Sequence, residues 1–181
     1  MMRTRFYSLL FVGATFAGGA IAQLPRADDV PRGEMSRADV DFLTTVDVAN
    51  MDQLMLAKRA GSRARNPGVH SLADNVVRSY TKADDALRLL AAAKHVDLTH
   101  RPSAKGQSEA DALLDRRGAL DQEYVNDVVK NTDDLIVMYE GARDHSDDAD
   151  IRTFANTMLP ALQDHQRQAK DILAREGDGK R

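Results

Sequence analysis

Four segments of this 181-residue chain carry apolar side chains at steps of three and four residues, and this spacing strongly limits the possible folds. Such spacing places the apolar side chains on one face of an α-helix, and that face must be buried against other helices. The predicted inner faces are Phe42, Val46, Ala49, Gln53, Leu56 and Ala60; Val69, Ala73, Val76, Tyr80, Ala83, Leu87 and Ala91; Val125, Val128, Thr132, Leu135, Ile136 and Tyr139; and Ile151, Phe154, Met158, Ala161, His165, Ala169 and Ile172. The pattern predicts an all-α domain with four long helices.

Capping signals indicate where the helices begin. Ser36 followed by Asp39 has the form of a capping box and starts the first helix. Asn66 as the cap and Pro67 at the first helical position start the second. Pro160 lies inside the fourth helix, where a proline kinks the helix or removes one backbone hydrogen bond.

A long connection separates the second and third helices. It contains HVDLTHRPSAKGQS and a short helix predicted at about residues 108–117. Shifting the sequence by 82 residues lays Phe42 on Tyr124 and Val46 on Val128, which suggests two similar helical hairpins. Two hairpins joined by a long crossover are typical of ferritin-like four-helix bundles, whereas up-and-down bundles use short loops throughout.

The N-terminus has the pattern of a secretory signal: two arginines, an apolar run over residues 6–16, and small residues ending in Ala20-Ile21-Ala22. We expect cleavage before Gln23 and a periplasmic or secreted product with no transmembrane segment, since the apolar run is shorter than the roughly 20 residues that span a bilayer. The predicted regions are a signal peptide at 1–22, a flexible leader at 23–35, the bundle at 36–176 and a disordered tail at 177–181.

Composition excludes several classes of protein. Loss of the two signal arginines would move the formal net charge from -3 to -5, and a mildly acidic chain of mixed charge is not a nucleic-acid binder. The chain contains no cysteine, so it has neither a disulfide framework nor a cysteine-linked lipid anchor. Stability must therefore come from helix packing.

Four stretches together resemble the exported bacterial proteins of the Domain of Unknown Function 4142 family. They are ADVDFLTTVDVANMDQLMLAKRA, NPGVHSLADNVVRSYTKADDAL, LDQEYVNDVVKNTDDLIVMYE and TFANTMLPALQDHQRQA, and they cover about residues 37–174. The resemblance implies a ferritin-like fold and a periplasmic or outer-membrane location. It also implies a glutamate in the first helix and histidines in the others, but this chain has Gln53, Tyr80 and Thr132 at three of these positions and only His165 matches.

A polar core layer is predicted at the middle of the bundle, and it comprises Asn50, Gln53, Tyr80, Asp84, Thr132 and His165. We expect these side chains to satisfy one another's hydrogen bonds, because an unpaired buried polar group costs about 1 to 3 kcal/mol. The alternative is a weakly bound divalent metal held by His165, Asp84 and a water. A complete di-iron site is not expected, since it uses Glu-x-x-His on two helices and no glutamate here stands three residues before a histidine. His95 and His100 are predicted to be solvated surface residues of the crossover.

No catalytic motif stands out: the sequence has no Gly-x-Ser-x-Gly, no cysteine and no glycine-rich phosphate loop. We expect an exported helical-bundle protein without its own chemistry or cofactor, acting as a structural, stress-related or interaction module, with peripheral outer-membrane association as one option. Its partner would be an envelope protein, a small ligand or a second copy of the chain. The alternative functions are a metal-binding or ferritin-like redox protein with a degenerate site around His165, and a small-ligand pocket at Pro160.

Overall fold

The computed structural model describes residues 35–116 and 118–178, and these residues form five helices and no strand. The helices are α1 (Arg37–Gly61), α2 (Pro67–Ala93), α3 (Ala104–Asp115), α4 (Leu120–His145) and α5 (Ala149–Asp178). The predicted all-α class is therefore confirmed. The predicted signal peptide, almost all of the leader and the last three residues of the tail lie outside the described residues.

Two helical hairpins, α1 with α2 and α4 with α5, form the bundle. α2 packs against α5 and α1 against α4, so the four long helices surround one core. The connection from residue 94 to 119 contains α3, which lies against α1 and α4. This is the predicted arrangement of two hairpins and a long crossover.

The predicted helix starts are present in the structure. The Ser36 hydroxyl accepts a hydrogen bond from the Asp39 amide and donates one to the Asp39 carboxylate. Asn66 Oδ1 accepts from the Gly68 amide at 2.8 Å, with Pro67 at the first helical position. Both caps satisfy backbone amides that have no partner inside the helix.

The bounds of α3 and α5 differ from the sequence prediction. α3 begins at Ala104, four residues before the predicted start, and the Ser103 hydroxyl caps it by accepting from the Gly106 amide at 2.8 Å. α5 extends two residues beyond the predicted end at 176. Pro160 lies inside α5, as the sequence indicates, and the segment is helical on both sides of it.

The core is aliphatic, with a small aromatic cluster at one end. Phe42, Tyr139 and Phe154 lie with ring centroids 5.3 to 6.4 Å apart, and the Phe42 ring meets Tyr139 edge to face. Leucine, valine and alanine fill most of the remaining interior. Within the part of the chain that is described, no helix has the length and apolar character needed to cross a membrane.

Candidate functional site

The polar core layer is largely buried where the helical spacing placed it. Asn50, Gln53, Tyr80, Thr132 and His165 are all buried, on α1, α2, α4 and α5. Asp84 is different, because its side chain is 14% exposed at the edge of the bundle. Tyr80 and Asp84 are one turn apart, which offsets them by about 40° around α2 and turns Asp84 toward the crossover.

Our expectation that these side chains satisfy one another was wrong. The Thr132 hydroxyl donates within its own helix, to the carbonyls of Val128 at 2.7 Å and Val129 at 3.0 Å. Both amide atoms of Asn50 and the Tyr80 hydroxyl have no hydrogen-bond partner among the described residues. A short threonine side chain reaches the preceding turn more easily than a neighbouring helix, which explains why the network is broken at Thr132.

His165 lies between α5 and α2. Its Nε2 is 3.2 Å from the Ser79 hydroxyl, and its ring stacks on Tyr80 with centroids 5.8 Å apart. Burial lowers the pKa of His165 and outweighs the charge of Asp164 and the Asn75 carbonyl, which act in the opposite direction. The imidazole is therefore neutral at pH 7.

Three buried tyrosine hydroxyls face the interior without a hydrogen-bond partner among the described residues: Tyr80, Tyr124 and Tyr139. Burial raises the pKa of each phenol, because the phenolate would lose its hydration. These groups stay protonated at any physiological pH. They can donate hydrogen bonds to a buried acceptor but cannot act as bases.

Two carboxylates on α1 hold the crossover against the bundle. Asp47 Oδ2 accepts from the backbone amides of Thr99 and His100, both at 2.9 Å, and from the Thr99 hydroxyl at 3.2 Å. Asp52 accepts from the Ser103 amide and hydroxyl, both at 2.7 Å. These carboxylates accept hydrogen bonds from crossover backbone amides, which have no partner in a helix or a sheet.

The same arrangement brings His100 onto two carboxylates. His100 Nδ1 lies 3.0 Å from Asp47 Oδ1 and 3.6 Å from Asp84 Oδ1. Among the described residues these three form the group in which one ligand atom from each side chain lies within 4.8 Å of the other two. The prediction that His100 is simply a solvated surface residue was wrong. The structure also separates the predicted pair of Asp84 and His165. Asp84 lies with His100 at the crossover, whereas His165 contacts Ser79 and Tyr80.

Sequence reasoning identified Asp84 but missed Asp47 and His100. Asp47 directly follows the core residue Val46. This position of an acid beside an apolar helix face was the one sequence signal that could have indicated Asp47 as a site residue. His100 is 53 residues away from Asp47, and their contact depends on the path of the crossover. No spacing rule links them.

The described residues form several surface clefts, two of which adjoin α1, and Pro160 lines neither of these two. One, of about 380 Å³, lies between the start of α1 and the end of α4 and has Phe42 and Met138 in its wall. The other, of about 200 Å³, lies beneath α3 and is lined by Gln53, Lys105 and other polar residues. The ligand pocket predicted at Pro160 is thus not one of these clefts.

Comparisons with known proteins agree with the fold. The model of a family described as Domain of unknown function (DUF4142) matches residues 24–172. The crystal structure of a DUF305 fragment from Deinococcus radiodurans is similar, with a TM-score of 0.69 and 13% sequence identity over 78% of this chain and 98% of that one. This likeness concerns the fold alone. No curated protein matches the sequence.

Proposed function

The chain belongs to the DUF4142 family, and from that premise we propose that it is exported to the bacterial cell envelope and acts there as a non-catalytic structural or interaction module. Its own N-terminus supports export, with Arg3 and Arg5 before the apolar run and Ala20-Ile21-Ala22 before the expected cleavage point. Cleavage there would leave all five described helices intact, since α1 begins at Arg37.

The observation that carries the non-catalytic role is the composition of the mid-bundle layer. Five of the six side chains of the polar core layer are buried, and these are two amides, one phenol, one hydroxyl and one imidazole; the sixth, Asp84, is the one carboxylate. A di-metal centre in such a bundle needs about four carboxylates and two imidazoles, so these residues do not fit one. His165 is the one base in the layer, and its burial keeps it away from substrate in solution.

The bundle surface supports an interaction role. Leu89 on α2 and Val137 on α4 are 75% and 70% exposed, which is unusual for large apolar side chains of this domain. We propose them as contact points for an envelope protein or a second copy of the chain.

Expression of the full chain in a Gram-negative host tests this proposal. We expect the protein in the periplasmic fraction, with a mature N-terminus at Gln23 by mass spectrometry. The Ala22→Arg variant is the matched control and should accumulate as the uncleaved precursor, because the residue before the cut must be small. Full-length protein in the cytoplasm would contradict export, and robust turnover by the pure protein would contradict a non-catalytic role.

A second candidate function is metal binding, which the sequence analysis predicted at His165 and Asp84. The structure favours it at another place, where Asp47, Asp84 and His100 converge.

A further inference from the structure

The two oxygens of the Asp47 carboxylate have different surroundings. Oδ2 accepts all three hydrogen bonds from Thr99 and His100, whereas Oδ1 has no hydrogen-bond partner among the described residues. The side chain is only 1% exposed, so water does not reach it freely. A buried carboxylate oxygen without a partner is costly, and a cation beside it would remove that cost.

Asp47 Oδ1 faces two other groups that also lack partners. His100 Nδ1 is 3.0 Å away, but its N–H axis misses the oxygen and the two make no hydrogen bond. Asp84 Oδ1 is likewise unpartnered, 3.6 Å from the same nitrogen. Arg88 approaches the other oxygen of Asp84 at 4.0 Å and leaves Oδ1 available.

These observations lead us to propose that Asp47, Asp84 and His100 bind a divalent first-row metal ion of the Zn²⁺ type. Metal bonds of 2.0 to 2.2 Å put neighbouring ligand atoms about 2.9 Å apart in octahedral and about 3.4 Å apart in tetrahedral geometry. The nitrogen-to-oxygen distances of 3.0 and 3.6 Å are close to those values.

The backbone conformation of His100 indicates that contacts within the site hold this residue in position. His100 has φ of 48°, a strained left-handed conformation that a non-glycine residue keeps only where its surroundings enforce it. Here the enforcing contact is the hydrogen bond from its amide to Asp47.

His95 provides the contrast. Its φ is 58°, but it ends α2 in a Schellman motif, with its amide bonded to the Ala92 carbonyl and the Val96 amide to the Ala91 carbonyl. Its left-handed backbone is therefore explained by the helix end alone.

The donor set selects the class of metal. One imidazole and two carboxylates suit borderline ions such as Zn²⁺, Co²⁺ and Fe²⁺, whereas Mg²⁺ and Ca²⁺ prefer oxygen-only sites and copper(I) prefers sulfur. Three protein ligands leave at least one coordination position for water or a further ligand. Access is from the His100 side, where the imidazole is 31% exposed. The bound ion would join α1, α2 and the crossover.

Titration of the tag-free, metal-stripped protein with Co²⁺ and Zn²⁺ tests the proposal, using the visible absorption of protein-bound cobalt and calorimetry. We expect one ion per chain, a cobalt spectrum that Zn²⁺ abolishes, and no such displacement by Mg²⁺. His100→Gly should weaken binding at least about tenfold, the lower end of what disturbing a ligand's support costs. Glycine suits the left-handed backbone, so this variant should fold.

His95→Gly is the matched control, because it makes the same change at a left-handed crossover histidine that is not a ligand, and it should bind like the wild type. Asp47→Asn gives a second test: its amide oxygen can keep the bonds to Thr99 and His100, but the anionic ligand is lost. No stoichiometric cobalt binding by the wild type would overturn the proposal. Binding that survives His100→Gly, or that His165→Asn abolishes instead, would also overturn it.

Discussion

Gly106 of α3 lies directly against the Asp52 carboxylate of α1, and a methyl group at position 106 tests how the crossover is held. A Cβ at position 106 would lie 2.1 Å from Oδ1 and 2.3 Å from Cγ of Asp52. The carboxylate would have to move and give up the two 2.7 Å hydrogen bonds that it accepts from Ser103. Gly106→Ala should therefore destabilise the protein, although alanine is the better helix former.

The magnitude follows from those two bonds. Hydrogen bonds to a charged acceptor contribute about 1.5 to 3 kcal/mol each, and partial solvation of the displaced groups recovers some of this. Alanine in place of glycine returns about 1 kcal/mol in a helix. We expect a net loss of about 2 kcal/mol, which lowers the Tm of a domain of this size by about 4 to 8 °C.

Urea denaturation followed by circular dichroism suits this chain, which has no tryptophan. In the Asp52→Ala background the methyl group has room, so Gly106→Ala should there be neutral or stabilising by up to about 1 kcal/mol. The four proteins form a double-mutant cycle with a coupling of about 2 to 3 kcal/mol. Additive effects, or a wild-type background that tolerates alanine, would refute the proposed contact.

Three other predictions concern single side chains. Although burial acts to raise it, the hydrogen bond from Lys94 holds the pKa of Asp148 below its ordinary 3.8, so Lys94→Met should cost about 1 kcal/mol at neutral pH. In urea titrations that cost should shrink as the pH falls through the lowered pKa, because a protonated Asp148 no longer pairs with Lys94, whose other carboxylate partner is Asp150. Burial lowers the pKa of His165 below 6.5, so in mild acid the unfolded state binds more protons than the folded state. As the pH falls below 6.5, the wild type should therefore lose stability relative to His165→Asn. Urea midpoints of the two proteins that change in parallel with pH would contradict this. Tyr80→Phe removes a buried hydroxyl that has no partner among the described residues, so it should leave the free energy of unfolding unchanged or raise it by up to about 1 kcal/mol. A loss of stability would show that the hydroxyl makes a hydrogen bond.

The helices were predictable because their signals are local. Ser36 and Asn66 cap the helices that their sequence positions indicate, and the apolar period places Tyr80 and His165 inside. The start of α3 was missed because it depends on a distant residue: Ser103 is fixed by Asp52, while Gly106 weakens the local helix signal.

The candidate site was predictable only in part, because it too depends on contacts between residues that are distant in the sequence. Helical spacing placed Asp84 on the inner side of α2, but an offset of about 40° from Tyr80 decides whether it faces the core or the crossover. Asp47 and His100 meet only because the chain folds back across α1, and the sequence between them carries no pattern that specifies this path. The predicted hydrogen bonds within the polar core layer were wrong, because burial of polar groups does not ensure that they reach one another.

Crystals grown with ZnCl₂ and measured at the zinc absorption edge would locate the ion directly. We predict an anomalous peak about 2.0 to 2.2 Å from Asp47 Oδ1, Asp84 Oδ1 and His100 Nδ1, where the three unpartnered atoms converge. The same peak should be missing from crystals of His100→Gly. No peak at these residues in the wild type, or a peak at His165, would contradict the metal site proposed here.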